Sequence, residues 1–226
     1  MPEVPGEAID GAFEACWQRR ILPDVLDEGL AIEGALSRYK VVLAPFLLLM
    51  SAPLSRALSA YVERGGTLVW DARSGSYGQG EGDFREFSGS SQWKISMSRV
   101  PASGFDELMG YRSLAAYASG TGAPPIATLD AAIGGLPAGS GFQGHAFVDE
   151  LEPAAATEVL ARFADGKPAL LSRRAGKGRV VVCATDLFRA AHHGAPGSAA
   201  LVEALVRDAG VQPWAAVANM DAEPAR

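Results

Sequence analysis

Nucleophilic catalysis needs a thiol or hydroxyl on a tight turn with a histidine in reach, and the chain offers few residues that qualify. Its two cysteines are Cys16, inside a stretch with helical period, and Cys183, inside the strand-like run VVVCATD. Neither stands on a strand-to-helix turn, and both read as buried small hydrophobes. They are too few for a disulfide scaffold and lack the CxxC spacing of a zinc site. No serine sits in GxSxG, so the elbow of an α/β-hydrolase is missing. A GxGxxG occurs as Gly139-Ser140-Gly141-Phe142-Gln143-Gly144, but it follows Pro137-Ala138 and opens no helix. It reads as a loop, not a dinucleotide site. Lys167 and Lys177 precede Pro168 and Gly178, so there is no Walker sequence. His192 and His193 are neighbours in the loop expected after Asp186, and adjacent residues rarely face one ligand. No metal and no cofactor is expected.

The carboxylates are more informative. Asp71 and Asp186 end the two clearest strands, where such groups often cap turns or helices. Arg73 and Ser74 follow Asp71 at the same corner. Asp71, Arg73, Ser74 and Asp186 are therefore the candidate ligand or interface residues. Glycosidase chemistry would need two carboxylates about 5 to 9 Å apart across a sugar cleft. None of the 26 acidic residues forms such a pair on the strand ends of a barrel, and no residue is assigned as catalytic.

The elements that position these residues centre on Tyr39 to Gly75. Val41 to Met50 is a nearly unbroken apolar run, the pattern of a strand buried on both faces of a parallel sheet. Ser51 is an N-cap candidate, with Pro53 in the first helical turn. Leu54, Ala57, Leu58, Tyr61 and Val62 then recur on one helical stripe, Gly65-Gly66 stops the helix, and Thr67 to Asp71 supplies a second strand. Strand, helix and strand in this order imply a parallel α/β unit.

Upstream, residues 9 to 20 place Ile9, Phe13, Cys16 and Trp17 on one stripe of a first helix. Ile21 to Leu26 contains Pro23 and suits an edge strand at most. Doubly wound sheets open with a buried strand before the first helix, and residues 1 to 8 cannot supply one. Residues 74 to 144 hold 14 of the 26 glycines and read as a mostly irregular insertion, with a helical turn at Phe105 to Met109. Order returns with strands at Val159 to Ala164, Ala169 to Arg173 and Arg179 to Ala184. The last two form a hairpin about Gly176-Lys177-Gly178 whose second half enters the central sheet. A final helix carries Leu201, Val202, Leu205, Val206 and Ala209 inward and stops at Gly210. The chain reads as one domain over 1–217 and a flexible polar tail over 218–226.

A chain of 226 residues with 48% hydrophobic content can bury a substantial core. The net charge of −6, without long runs of either sign, argues against nucleic-acid or anionic-membrane partners. No apolar run reaches the length of a membrane-spanning helix, and the acidic start MPEVPGEAID lacks the pattern of a secretion signal, so a cytoplasmic location is expected.

Five segments in order carry a resemblance: YKVVLAPFLLLMSAPLSRALSAYVERGGTLVWDARSG from Tyr39, GFDELMG from Gly104, FQGHAFVDELEP from Phe142, VLARFADGKPALLSRRAGKGRVVVCATDL from Val159 and LVEALVRDAGVQP from Leu201. Together they resemble the middle, trimerisation domain of glycoside hydrolase family 42 β-galactosidases, whose fold is similar to class I glutamine amidotransferases. The resemblance implies an α/β, flavodoxin-like three-layer sandwich with a mostly parallel sheet, here lacking its first strand, plus the β-hairpin and the glycine-rich insertion. It implies a non-catalytic oligomerisation or structural domain that is a fragment or partner of a glycoside hydrolase, because the family's catalytic carboxylates belong to a (β/α)₈ barrel not encoded here. The partners implied are copies of itself, with a trimer as one option, or that barrel. The Arg73-Ser74-Gly75 corner belongs to the resembling motif. A carbohydrate or small-ligand site at the carboxyl edge of the sheet is the alternative.

Overall fold

Strand β1 (Val41–Ala44) runs parallel to strand β3 (Thr67–Trp70), with Val41 opposite Thr67 and Ala44 opposite Trp70. Helix α3 (Ala52–Glu63) makes the crossover between them. The Ser51 hydroxyl accepts the Leu54 N–H at 3.2 Å, Pro53 lies in the first turn, and Leu54, Leu58, Tyr61 and Val62 face the core. The helix stops before Gly65, whose φ of 120° favours glycine. The order strand, helix, strand and the parallel pairing are as the sequence predicts. The computed structural model describes residues 4–74, 77–79, 108–118 and 124–214. Much of the glycine-rich insertion, Phe105 to Glu107 of the expected helical turn and the tail over 218–226 lie outside them.

The apolar run after Lys40 does not make one long strand. β1 ends at Ala44, where Pro45 cannot donate to a ladder and Phe46 takes a φ of 44°. Leu49–Ser51 (β2) instead pairs with Tyr77–Gln79 (β4) in a separate two-stranded sheet. Nor is β1 buried on both faces. It is an edge strand, with Val41, Val42 and Leu43 half-buried, and its outer edge pairs with no strand among the described residues. Ile21 to Leu26 forms no strand; beside β1 it borders an apolar groove of about 390 Å³ that α3 and the first helix also line.

The expected mostly parallel, flavodoxin-like sheet is corrected. Beyond β3 the sheet continues with Gly178–Cys183 (β11), Pro168–Ala175 (β10), Thr157–Phe163 (β9), Ile126–Leu129 (β6) and Gly141–Gln143 (β7). Only β1–β3 and β3–β11 are parallel, and the other four pairings are antiparallel. The sheet is mixed and mostly antiparallel. The cause is connection length: turns at Asp165-Gly166 and Gly176-Lys177 return the chain at once, and a parallel neighbour needs a crossover of a dozen residues.

Three layers do form. Along β3 and β11, Leu68, Trp70, Val180 and Val182 join the core under α3, while Val69, Val181 and Cys183 point into the opposite core. Helix α1 (Val4–Trp17), α4 (Leu187–His192) and α5 (Ser198–Asp208) cover that second face, and a short helix, α2 (Glu28–Ile32), sits beside α3. α1 divides the stripe seen in the sequence. Ala8, Ala12, Ala15 and Cys16 face inward, and Ile9, Phe13 and Trp17 remain exposed. Gly11 explains the choice, since a Cβ there would collide with the Phe188 carbonyl of α4. Only the small-residue face allows so close an approach.

Tyr111–Ala118 (β5) and Phe147–Pro153 (β8) make an antiparallel ribbon outside the main sheet. β8 is strapped to the carboxyl end of β11 by the Asp149 N–H, which donates to Ala184 O at 2.8 Å, and by a bridge between Val148 and Thr185. Among the described residues no helix is long and apolar enough to cross a membrane.

Candidate functional site

The turn after β3 carries Asp71, Arg73 and Ser74, and the loop after β11 carries Asp186, so the parallel pairing of β3 with β11 brings the four predicted residues to one edge of the sheet. Asp71 is buried and works as a hub. Its Oδ1 accepts the Phe46 N–H at 2.9 Å, and its Oδ2 accepts the Phe188 N–H at 3.3 Å. Ser74 Oγ accepts the Leu47 N–H at 2.9 Å, while its own hydroxyl has Ala44 O at 3.3 Å and Asp71 Oδ1 at 3.4 Å as competing acceptors. The loop that leaves β1 is thus held by side chains from the loop that leaves β3.

Arg73 adopts a φ of 70°, a left-handed conformation that costs a non-glycine residue on the order of 1 kcal/mol. That turn points its N–H at Asp149 Oδ2 of β8, 2.7 Å away. The Arg73 guanidinium lies 5.9 Å from the Phe147 ring centroid, and Phe46 packs 5.8 Å from the same ring. Asp186 occupies the N-cap position of α4 without capping it, and neither of its carboxylate oxygens meets a hydrogen-bond donor among the described residues.

Burial sets the electrostatics. Loss of water pushes the Asp71 carboxyl up to about 7, against the hydrogen bonds from Phe46, Phe188 and Ser74, with the nearby Asp149 adding to the rise. Loss of water also pushes Asp186 up to about 8, reinforced by Asp71 and Asp149 and opposed by Arg189. Two such acids titrate as a unit. The Cys183 thiol is raised far above its usual range by burial, and Cys16 is raised to about 11 by the same cause. Both thiols are buried and free, as their contexts predict.

The histidines are not in a solvated loop. His192 ends α4 and His193 caps it, because a short helix stands where the sequence pattern suggests a loop. The His193 ring stacks on His145 at 4.7 Å, and its Nε2 lies 3.3 Å from Glu7. No group of three or more His, Cys, Asp or Glu residues is placed to hold a metal among the described residues. The GxGxxG segment contains β7 and a turn, and a Cβ at Gly144 would strike the Thr185 side chain.

Asp149 completes the cluster and was invisible in the sequence. It sits in FVDELEP with Glu150 and Glu152, and nothing marks it as the inward carboxylate. Fold and site together define a mixed α/β domain whose polar centre is closed off from water and spent on holding loops in place.

Residues 8–212 match the family described as the beta-galactosidase trimerisation domain, and the chain belongs to that family. Over 69 residues it is 35% identical to the β-galactosidase BglY of Alicyclobacillus acidocaldarius, a match covering 30% of this chain and 9% of that protein. The β-galactosidase of Bacillus circulans sp. alkalophilus superposes on 92% of this chain and 28% of its own, with a TM-score of 0.70 at 22% identity. The β-galactosidase of Halorubrum lacusprofundi gives 0.64 at 20% identity, covering 90% of this chain and 26% of its own. A cytoplasmic protein of Salmonella typhimurium LT2 gives 0.59 at 15% identity and is matched over 85% of its length. The chain thus spans about a quarter of those β-galactosidase structures and under a tenth of BglY.

Proposed function

We propose that this trimerisation domain is a non-catalytic assembly module, and that the exposed apolar stripe of α1 is its contact with further copies of the chain. The observation that supports this face is the outward placement of Ile9, Phe13 and Trp17, with the Phe13 and Trp17 rings stacked at 6.0 Å. Leu22 and Val25 extend the band, and a contiguous apolar surface of this kind marks association sites on folded domains. The buried carboxylates Asp71, Asp149 and Asp186 serve the interior of the domain. For the whole protein we infer a β-galactosidase-type glycoside hydrolase, with a separate barrel as the catalytic partner.

Light scattering after gel filtration tests the assembly. The expected result at micromolar concentration is an oligomer of trimer mass, and Phe13→Glu with Trp17→Glu should reduce it to monomer without unfolding it. A wild-type chain that stays monomeric sinks the reading for these 226 residues. Retention of the trimer in the double variant would move the contact to another face.

A further inference from the structure

Three carboxylates meet where β3, β8 and β11 come together, and the main chain around them is already committed. Asp71 takes two backbone N–H groups, and Asp149 takes the Arg73 N–H. Asp186, 1% exposed, has no donor at either oxygen among the described residues. The backbone N–H of Phe147 lies near enough to oppose the rise without meeting the geometry of a hydrogen bond. Arg189 is a cation that acts on Asp186, but its Nε is paired with Glu7 of α1 at 2.5 Å. The other charged or titratable groups around the cluster are Arg73 at the β3 turn, Cys183 of β11, and His145 and His193 beyond Arg189. A carboxylate buried without a matched donor or cation favours its protonated form.

We propose that Asp71, Asp149 and Asp186 form a proton-held latch: with a proton bound, β8 lies strapped across the carboxyl edge of the sheet, and loss of the proton releases the strap. β8 is the element that yields. Asp71 follows β3 and Asp186 lies in the loop after β11, and these strands pair from Thr67 with Arg179 to Trp70 with Val182 in the core. β8 is held at this edge by the Asp149 N–H, by the bridge at Val148 and by Thr185 Oγ1, which donates to the carbonyl of Phe147 at 2.9 Å or that of His145 at 3.2 Å. Ionisation places like charges on both sides of that short seam.

The sign follows from linkage. Asp71 and Asp186 bind their protons more tightly folded than unfolded, so their contribution to stability is full below about 4 and is lost as pH rises to about 8. His145, which burial holds below its ordinary value, gives the opposite slope near neutrality. Glu7, held low chiefly by its hydrogen bond from Arg189, acts only under acid conditions. A fall in stability between pH 5 and 8 therefore separates the carboxylates from both.

Urea unfolding of the full chain from pH 5 to 9 is the test. Each proton held only in the folded state raises the unfolding constant up to about tenfold per pH unit. Asp186→Asn should flatten that slope and leave the variant more stable than the parent at pH 9. Native-state hydrogen exchange, corrected for intrinsic pH dependence, should show the Arg73 and Asp149 amides losing protection before the β3–β11 amides do. If the variant does not fold, the infrared carbonyl band of a neutral carboxylic acid decides on the parent alone: present at pH 6, gone by pH 9. Absence of that band at pH 6, identical slopes in parent and variant, or simultaneous loss of protection everywhere would each overturn the latch.

Discussion

Asp71 caps a helix 117 residues away in sequence: its Oδ2 accepts the N–H of Phe188, in the first turn of α4, at 3.3 Å. Asp186, the residue in the N-cap position, makes no such bond. The cap is exchanged because Asp186 is turned into the carboxylate cluster, while Asp71 reaches across from the next strand. One aspartate thus joins the loop after β1 to the start of α4 and ties together both faces of the sheet.

Replacing Asp71 should therefore cost more than a surface cap does. Asp71→Ala leaves the Phe46 and Phe188 N–H groups buried without an acceptor, and we expect a loss of about 2 to 4 kcal/mol in urea denaturation. Asp71→Asn keeps one carbonyl acceptor and should lose less than half of that. Equal losses for the two would mean that packing, not the hydrogen bonds, sets the role of the side chain.

The approach of α1 to α4 predicts a second effect. Gly11→Ala introduces a methyl group against the Phe188 carbonyl, a backbone atom that cannot rotate away. The helices must separate, at a cost of about 1 to 3 kcal/mol by the measured range for overpacking. Thermal melting with Gly6→Ala as control should show the difference, since a Cβ at Gly6 meets nothing within 4 Å.

What the sequence displays here is local order, and what it hides is pairing. Ser51, Pro53 and the Leu54–Leu58–Tyr61–Val62 stripe predict α3 because cap, turn and period agree within a dozen residues. Asp71 and Asp186 were legible as strand-end carboxylates for the same reason. Direction of pairing was not: Val180 to Ala184 is apolar enough for either neighbour, and only the assembled sheet shows that β11 meets β3 in parallel and β10 in antiparallel fashion. The stripe of α1 shows in the sequence but not which part of it is buried, because Gly11 and three alanines are the face that fits against α4. Asp149 had no signal, since its inward position depends on where β8 crosses the sheet.

The thiols make a third prediction. Cys16 and Cys183 are both 2% exposed or less, and burial raises both above the usual thiol range. The thiolate is the reactive form, so an aromatic disulfide reagent at pH 8 should modify neither in the native protein and both in urea. Rapid labelling of one thiol before unfolding would show that its helix or strand opens locally.

Arg73 separates a structural corner from a ligand site. Its backbone N–H serves Asp149, and its side chain lies over Phe147, so Arg73→Ala keeps the first and removes the ring contact. A cation over a partly exposed ring contributes about 0.5 to 1 kcal/mol, and stability should fall by at least that contact. With Asp71 and Asp186 turned inward, no sugar hydroxyl reaches their oxygens in the closed form. Calorimetric titration with galactose and lactose should therefore give the same result for parent and variant. Loss of a measurable sugar affinity in Arg73→Ala, with stability unchanged, would make this edge a carbohydrate site and assign the left-handed turn to ligand placement instead of strap attachment.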